Sequence, residues 1–323
     1  MPLDPNNIET SYINSFREGF EHVFQQRGSR TRPFVNVVSQ SAEFDFYDRL
    51  GVADDVNEIM DRYGDTPMNE VPHERRRIGL RDFDWAKLVD RKDLLRVLTD
   101  PSNNYTQAAV WAFGRNFDRL TFEAAFGPAY VGKDGNRTID FVDTNAGDIT
   151  IGDLDQNPDT FEGTTEGIDI NASFREDGGS GNTNLTIDKL MAARYTMLER
   201  EAIEQDQTVN LFLGSSQLRS LMREEKIQNF DYNTVKALAN GEVRTFHGFN
   251  FIHTEKVPRT GNIRHCLACL PRAINMAIGQ DLTVDVGPRR DKRNIPQIYL
   301  AMHFNGSRMW GAQTVKINCD ETA

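Results

Sequence analysis

Apolar residues recur along this chain with a period that changes from helical to extended and back. Near the N-terminus Ile8, Tyr12, Phe16, Phe20, Val23 and Phe24 step by three or four and Gly28 stops the run, which predicts an amphipathic arm within residues 1–34. The stripe can close on its own domain or lie across a neighbouring copy, and spacing alone does not choose. From Arg32 to Asp90 the pattern is irregular and extended: Val35, Val37 and Val38, then Phe44, Phe46 and Tyr47, then Arg77, Ile78 and Leu80, with turn chemistry at Gly64 to Pro67. An extended loop over 35–90 with no core of its own needs a surface to lie on. Another copy of the chain is the natural one.

Asp100-Pro101 reads as a helix cap with proline in the first turn, and Gly127-Pro128 as the exit. Between them Ala109, Phe113, Phe117, Leu120 and Ala124 share one face, while Arg115, Asp118, Arg119 and Glu123 fall off it. This predicts a long helix over 101–127, a rod of roughly 40 Å at 1.5 Å per residue. Residues 128–184 are rich in Gly, Asp, Asn and Thr and alternate only briefly, at Thr138–Val142, Asp148–Ile151 and Gly167–Asn171. They read as short exposed hairpins.

Thr186 then caps a helix carrying Ile187, Leu190, Met191 and Leu198 on one face, followed by a strand at Thr208–Leu213 and a helix capped by Ser215. A short helix at Val235–Asn240 precedes two strands, Val243–Phe246 and Phe249–His253, that turn at His247-Gly248. Leu267–Ile278 is suited to burial, and Ile298–Phe304 and Gln313–Ile317 read as closing strands. The sum is an α+β fold with no internal repeat.

Composition narrows what such a fold does. Hydrophobic residues make up 38% of 323, with 20 phenylalanines among them, and 48 acidic residues against 37 basic ones give a net charge of −11. A chain that grips phosphates along a duplex leans the other way, so contact with DNA is expected to be weak and non-specific. Met1 to Asn14 carries no basic, apolar or cleavage pattern of a secretory signal, and no run approaches the ~20 apolar residues of a membrane helix. Three cysteines, Cys266, Cys269 and Cys319, are too few for a disulfide framework.

The chemistry searched for is thin. No phosphate-cradling or dinucleotide glycine loop is present. Gly214–Gln217 follows a strand and opens a helix, where amides can meet an anion, but a plain βα turn explains it. His265, Cys266 and Cys269 lack further metal ligands, and in a strand a spacing of three sends the two sulfurs to opposite faces, which favours buried structural cysteines. The six histidines are scattered with no serine elbow, and Glu199–Asp206 reads as a hydrophilic helix face. No catalytic residue, metal or cofactor is expected. Arg75, Arg76 and Arg77 can meet phosphate or pair with Asp54, Asp55 and Glu58 of a neighbour, and bidentate arginine–carboxylate pairing favours the second. Arg289, Arg290, Lys292 and Arg293 admit the same two readings, or a solvated loop.

Two blocks resemble the major capsid proteins of tailed bacteriophages, whose fold is shared with bacterial encapsulin shells and the herpesvirus capsid floor. One runs over residues 65–135, from DTPMNEVPHERRRIGL to FEAAFGPAYVGKDG; the other joins LTIDKLMAARYTMLE to GEVRTFHGFNFIHTEKVP. The resemblance implies a phage major capsid protein fold: N-terminal arm (1–34), extended loop (35–90), peripheral domain with its spine helix (91–130), axial globular domain (186–280) and a return to the peripheral domain (281–323). The inserted hairpins (131–185) depart from the family's minimal pattern; they are expected to decorate the outer surface or strengthen contacts between capsomers, so that deleting 134–182 leaves folding possible but alters particle size or stability. It implies a non-enzymatic subunit that self-assembles as hexamers and pentamers into an icosahedral head shell around double-stranded DNA. Portal and scaffold proteins are the implied partners, with a decoration protein where the shell carries one, and the location is the virion, built in the bacterial cytoplasm without a membrane. Phe16, Phe20, Phe24, Phe44, Phe46, Arg75, Arg76 and Arg77 are expected to touch neighbouring copies. A cargo-packaging compartment shell shares this fold and differs in its genomic neighbours, whereas an α/β enzyme would present a pocket of perturbed titratable groups.

Overall fold

A computed structural model describes residues 26–53, 56, 58, 65, 68–88, 102–143, 149–153, 161–177, 179, 181–223 and 245–322. The predicted arm helix with Phe16, Phe20 and Phe24, the Asp100-Pro101 cap and the helix at Val235–Asn240 lie outside these residues. In chain order come β1 (Asn36–Ser39), β2 (Phe44–Leu50), β3 (His73–Gly79), β4 (Asp82–Leu88), helix α1 (Ser102–Phe126), β5 (Ala129–Val131), β6 (Arg137–Phe141), β7 (Ile149–Ile151), β8 (Thr165–Glu166) and β9 (Ile168–Ile170). Then follow α2 (Ile187–Glu199), β10 (Val209–Leu213), α3 (Ser215–Arg223), β11 (Thr245–Phe246), β12 (Phe249–His253), β13 (Arg259–Thr260), β14 (Ile263–Cys269), β15 (Ile274–Arg289), β16 (Ile295–Arg308) and β17 (Thr314–Asp320).

These strands form three sheets. One has the order β1-β15-β16-β4, a second β11-β12-β10-β14-β17-β9-β7 with β13 against β14, and the third β2-β3-β5-β6-β8. β10 reads VNLFL and is buried at every position, as befits a strand covered on both faces. Its alternate residues enter different layers. Leu211 and Leu213 join Leu190, Ala193 and Met197 of α2, while Phe212 joins Phe117, Leu120 and Phe122 of α1 and Phe304 of β16. The rings of Phe122 and Phe212 meet edge-to-face at 5.8 Å, a favoured aromatic geometry. The second sheet is thus the middle layer, with α2 on one side and α1 with the first sheet on the other.

Several local expectations hold. Thr186 caps α2 by accepting from the Lys189 amide, and the hairpin between β11 and β12 turns at His247 and Gly248, both at positive φ, the backbone a two-residue primed turn requires. The helix α1 spans 25 residues. Cys266 and Cys269 are both wholly buried, and they do face opposite layers, Cys266 towards α2 and Cys269 towards α1.

Other expectations are corrected. Glu199–Asp206 is not a helix face: α2 ends at Glu199, Glu201 adopts positive φ, and its amide and that of Ala202 bond back to the carbonyls of Leu198 and Met197. That is a Schellman turn, and it tucks Ala202 and Ile203 into the core. The break placed at 280/281 falls inside β15, and β17 pairs with β14 and β9 in the middle sheet, so 281–323 serves two sheets rather than returning wholly to one. Asp118, assigned to the polar side of the helix, is fully buried.

The largest correction concerns the segment read as exposed hairpins. Ile168 and Ile170 are wholly buried, β9 lies between β17 and β7 in the middle sheet, and Glu166 is 1% exposed. Short strands in a Gly- and Asp-rich context look solvated because their apolar partners, Val315 and Ile317 in β17, are remote in sequence. A chain lacking 134–182 is therefore expected to lose the fold. Far-ultraviolet circular dichroism and solubility of the deletion variant check this, and a soluble, cooperatively melting product would contradict it.

Candidate functional site

The hairpin of β2 and β3 is where the chain exposes the most unusual surface. Its register pairs Phe44 with Gly79, Phe46 with Arg77, Asp48 with Arg75 and Arg49 with Glu74. Side chains of a strand alternate between faces, and here the alternation hides charge and shows aromatic rings. Arg49, Glu74 and Arg76 point inward and are buried, while Phe44 and Phe46 remain 48% and 38% exposed.

On the outward face the Phe44 ring covers Gly79, where a Cβ would come within 2.8 Å of it. Arg77 lies 5.2 Å from the Phe44 ring and 5.1 Å from the Tyr130 ring, within the range of cation–π attraction. Arg75 pairs with Asp48 at 2.6 Å, both half-exposed. The loop joining the two strands exposes large apolar side chains among its charged ones: Val52 is 57%, Val56 94% and Met68 95% exposed, beside the exposed Glu58, Asp65 and Glu70.

The inward face is an ion network. Glu166 accepts from both Nη atoms of Arg76 and from Nε of Arg308, with Arg49 Nη2 at 3.9 Å. Glu74 pairs with Arg49 at 2.5 Å and Arg137 at 3.0 Å. Arg308 also donates to the carbonyls of Ala125, Gly127 and Ile139, which ties the hairpin to the end of α1 and to β6. Burial alone would raise the Glu166 pKa, but Arg308, Arg76 and Arg49 outweigh it and hold the carboxyl at about 2.

Of the residues expected at contacts between copies, Phe44, Phe46, Arg75 and Arg77 share the exposed outward face. Arg76 does not, being wholly buried with both partners, Glu166 and Glu74, in its own chain. The signal was present: three consecutive arginines in a strand cannot all face one way. Phe16, Phe20, Phe24, Asp54 and Asp55 lie outside the described residues, and Glu58 is exposed.

The remaining candidates are absorbed by structure. The Ser215 amide and hydroxyl both donate to Glu255, so an anion does meet the Gly214 turn and it belongs to the chain itself. His265 bonds Asn318 and Thr260, and burial pushes the Cys269 thiol up to about 12, leaving an unreactive sulfur. No cluster of three metal-binding side chains occurs among the described residues. Arg289, Arg290, Lys292 and Arg293 sit exposed at the tip of the β15–β16 hairpin, with Arg289 paired to Asp291.

Comparison with known proteins gives one consistent picture. The family model for phage capsid protein matches residues 8–321. No curated protein sequence matches. Among solved structures, the capsid of Ralstonia phage GP4 is 11% identical with a TM-score of 0.67, covering 96% of this chain and 95% of that one. The capsid of cyanophage P-SCSP1u is 11% identical with a TM-score of 0.65, covering 96% and 93%. That of a native GTA particle is 12% identical with a TM-score of 0.63, covering 98% and 99%. At such identities the likeness establishes the fold.

Proposed function

The chain belongs to the phage capsid protein family and is a major capsid protein that builds a shell, and from that premise we propose that the outward face of the β2–β3 hairpin and its loop lies on a neighbouring copy. The observation that carries this is the set of large apolar side chains left exposed at Val52, Val56 and Met68 and at Phe44 and Phe46. Large apolar groups held in water on a folded subunit favour association that buries them. Phe44, Phe46, Arg75 and Arg77 are the contacts of the hairpin itself, and Phe16, Phe20 and Phe24 those of the arm.

In this reading copies group as hexamers and pentamers and close into an icosahedral shell, since repeated contacts of one kind must satisfy a closed symmetry. The shell encloses double-stranded DNA as the head of a tailed phage, assembled in the bacterial cytoplasm with portal and scaffold proteins. A net charge of −11 favours weak and non-specific contact with the packaged genome. The subunit's role is structural rather than catalytic.

The test replaces Val56 and Met68 together by aspartate. Both side chains are almost fully exposed in the single subunit, so its stability should change by less than about 0.5 kcal/mol. Assembly should require about tenfold more protein or more, because losing even 1.4 kcal/mol of apolar contact per subunit is a factor of ten. Urea unfolding of the unassembled subunit reads the first and sedimentation across a concentration series the second; unaltered assembly would remove the loop from the interface.

A further inference from the structure

The tip of the β15–β16 hairpin is a second place where the chain holds apolar and charged groups together in solvent. β1 pairs with β15 only as far as Ile278, and β4 with β16 only as far as Gln297. Beyond Gln297 the two strands have only each other, with Pro288 opposite Pro296 and Arg289 opposite Ile295. A two-stranded ribbon on its own is marginally stable in water. Its turn carries four cations, Arg289, Arg290, Lys292 and Arg293, against one carboxylate, Asp291. Arg289 pairs with that carboxylate, whereas Arg290, Lys292 and Arg293 are exposed and form no ion pair among the described residues. Val284 and Val286 stand half-exposed on the strand leading to them.

The loop between β2 and β3 has the opposite charge. From Gly51 to Pro72 the sequence holds six carboxylates and one arginine, and Glu58 and Asp65 are exposed along with the apolar Val56 and Met68. Each surface offers what the other lacks: both present apolar groups to bury, and their charges are of opposite sign.

The two surfaces cannot meet within one chain. The root of the loop is fixed beside Met309, whose carbonyl accepts from Arg49. From there β16 runs 14 residues to the tip, about 45 Å at ~3.3 Å per residue. Leu50 pairs with His73, so the loop is held at both ends and reaches at most about 36 Å when fully extended.

We propose that the β2–β3 loop of one copy docks on the β15–β16 tip of a second, with Glu58 and Asp65 facing Arg290, Lys292 and Arg293, and Val56 and Met68 covering Val284 and Val286. This rests on the shell-building role and names the surface that receives the loop. Nucleic acid is the other polyanion that fits the cations, but a phosphate backbone leaves the two valines in water, and a protein loop covers them.

The test uses the full-length chain assembled from a mixture of isotopically labelled and unlabelled copies. A carbodiimide, which joins a carboxylate to an amine only where the two are in contact, should link Lys292 of one copy to the 51–72 segment of another, as read by mass spectrometry. Reversing the tip, with Arg290→Glu, Lys292→Glu and Arg293→Glu together, changes exposed side chains only. Urea unfolding of the subunit should be unaltered, while assembly should require about tenfold more protein or more. Exposed ion pairs are individually weak, so the effect is expected from the set rather than from any one of them. Glu58→Lys with Asp65→Lys should impair assembly in the same sense, and joining both sets should recover most of the loss. The two variants move the net charge in opposite directions, so a shared defect cannot come from net charge alone.

Absence of the link, or a reversed tip that assembles at the wild-type concentration, overturns the docking and leaves standing the burial of the loop elsewhere on a neighbour. A reversed tip that assembles normally but holds less DNA assigns the tip to nucleic acid and overturns it as well. A chain that forms no particles overturns both readings.

Discussion

Glu166→Ala is expected to destabilise the subunit by about 3–5 kcal/mol, the cost of leaving buried charge without its partner. Arg76 and Arg308 are both wholly buried and both pair with this carboxylate. The effect should spread, because Arg308 also holds the carbonyls at the end of α1 and in β6. Glu166→Gln keeps the shape and one acceptor and should lose less. Urea unfolding of the unassembled subunit measures both, and a loss under about 1 kcal/mol for the alanine variant would mean the network is not the anchor of the hairpin.

The same group sets the acid limit. Its folded pKa of about 2 lies below the ordinary 4.5, so its contribution is fully present above pH 4.5 and is lost as pH falls through about 2. Wild-type stability should therefore decline across this window, and the Glu166→Gln variant should lack that component.

Asp118→Ala is the second large effect, about 2–4 kcal/mol, with a local consequence. This buried carboxylate accepts from the amides of Arg30 and Thr31, the hydroxyls of Ser29 and Thr31, and the side chain of Gln26. Each buried donor left unpaired costs about 1–3 kcal/mol, and exposure after detachment limits the sum. The segment from Gln26 to Thr31 crosses α1 at Gly114, where even a Cβ would meet the Gly28 carbonyl carbon at 2.5 Å. Asp118 is thus the clasp that fixes the N-terminal arm's root to the long helix. Limited proteolysis should cut between residues 26 and 34 far faster in the variant, and equal protection would show that the clasp lies elsewhere.

What could be read from residues alone follows the range of the interactions concerned. The long helix, the Thr186 cap, the His247-Gly248 turn and the opposed cysteines are all set by neighbours within a few positions. Arg76 was misplaced because its partner, Glu166, is 90 positions away. Asp118 was misread because the donors that make its burial tolerable come from 87 to 92 positions upstream. β9 looked solvated because three residues carry too little pattern to reveal a place beside β17. In each case burial is decided by a distant partner, which local periodicity does not register.

In a closed shell the outward face of the hairpin and its loop is expected to be completed by sister copies. Electron microscopy of the purified chain under assembly conditions should show closed particles whose density carries the 44–79 hairpin and loop of one copy across the surface of the next. Particles whose hairpins stand free of every neighbour, or a chain that stays dispersed as single subunits at high concentration, would contradict it.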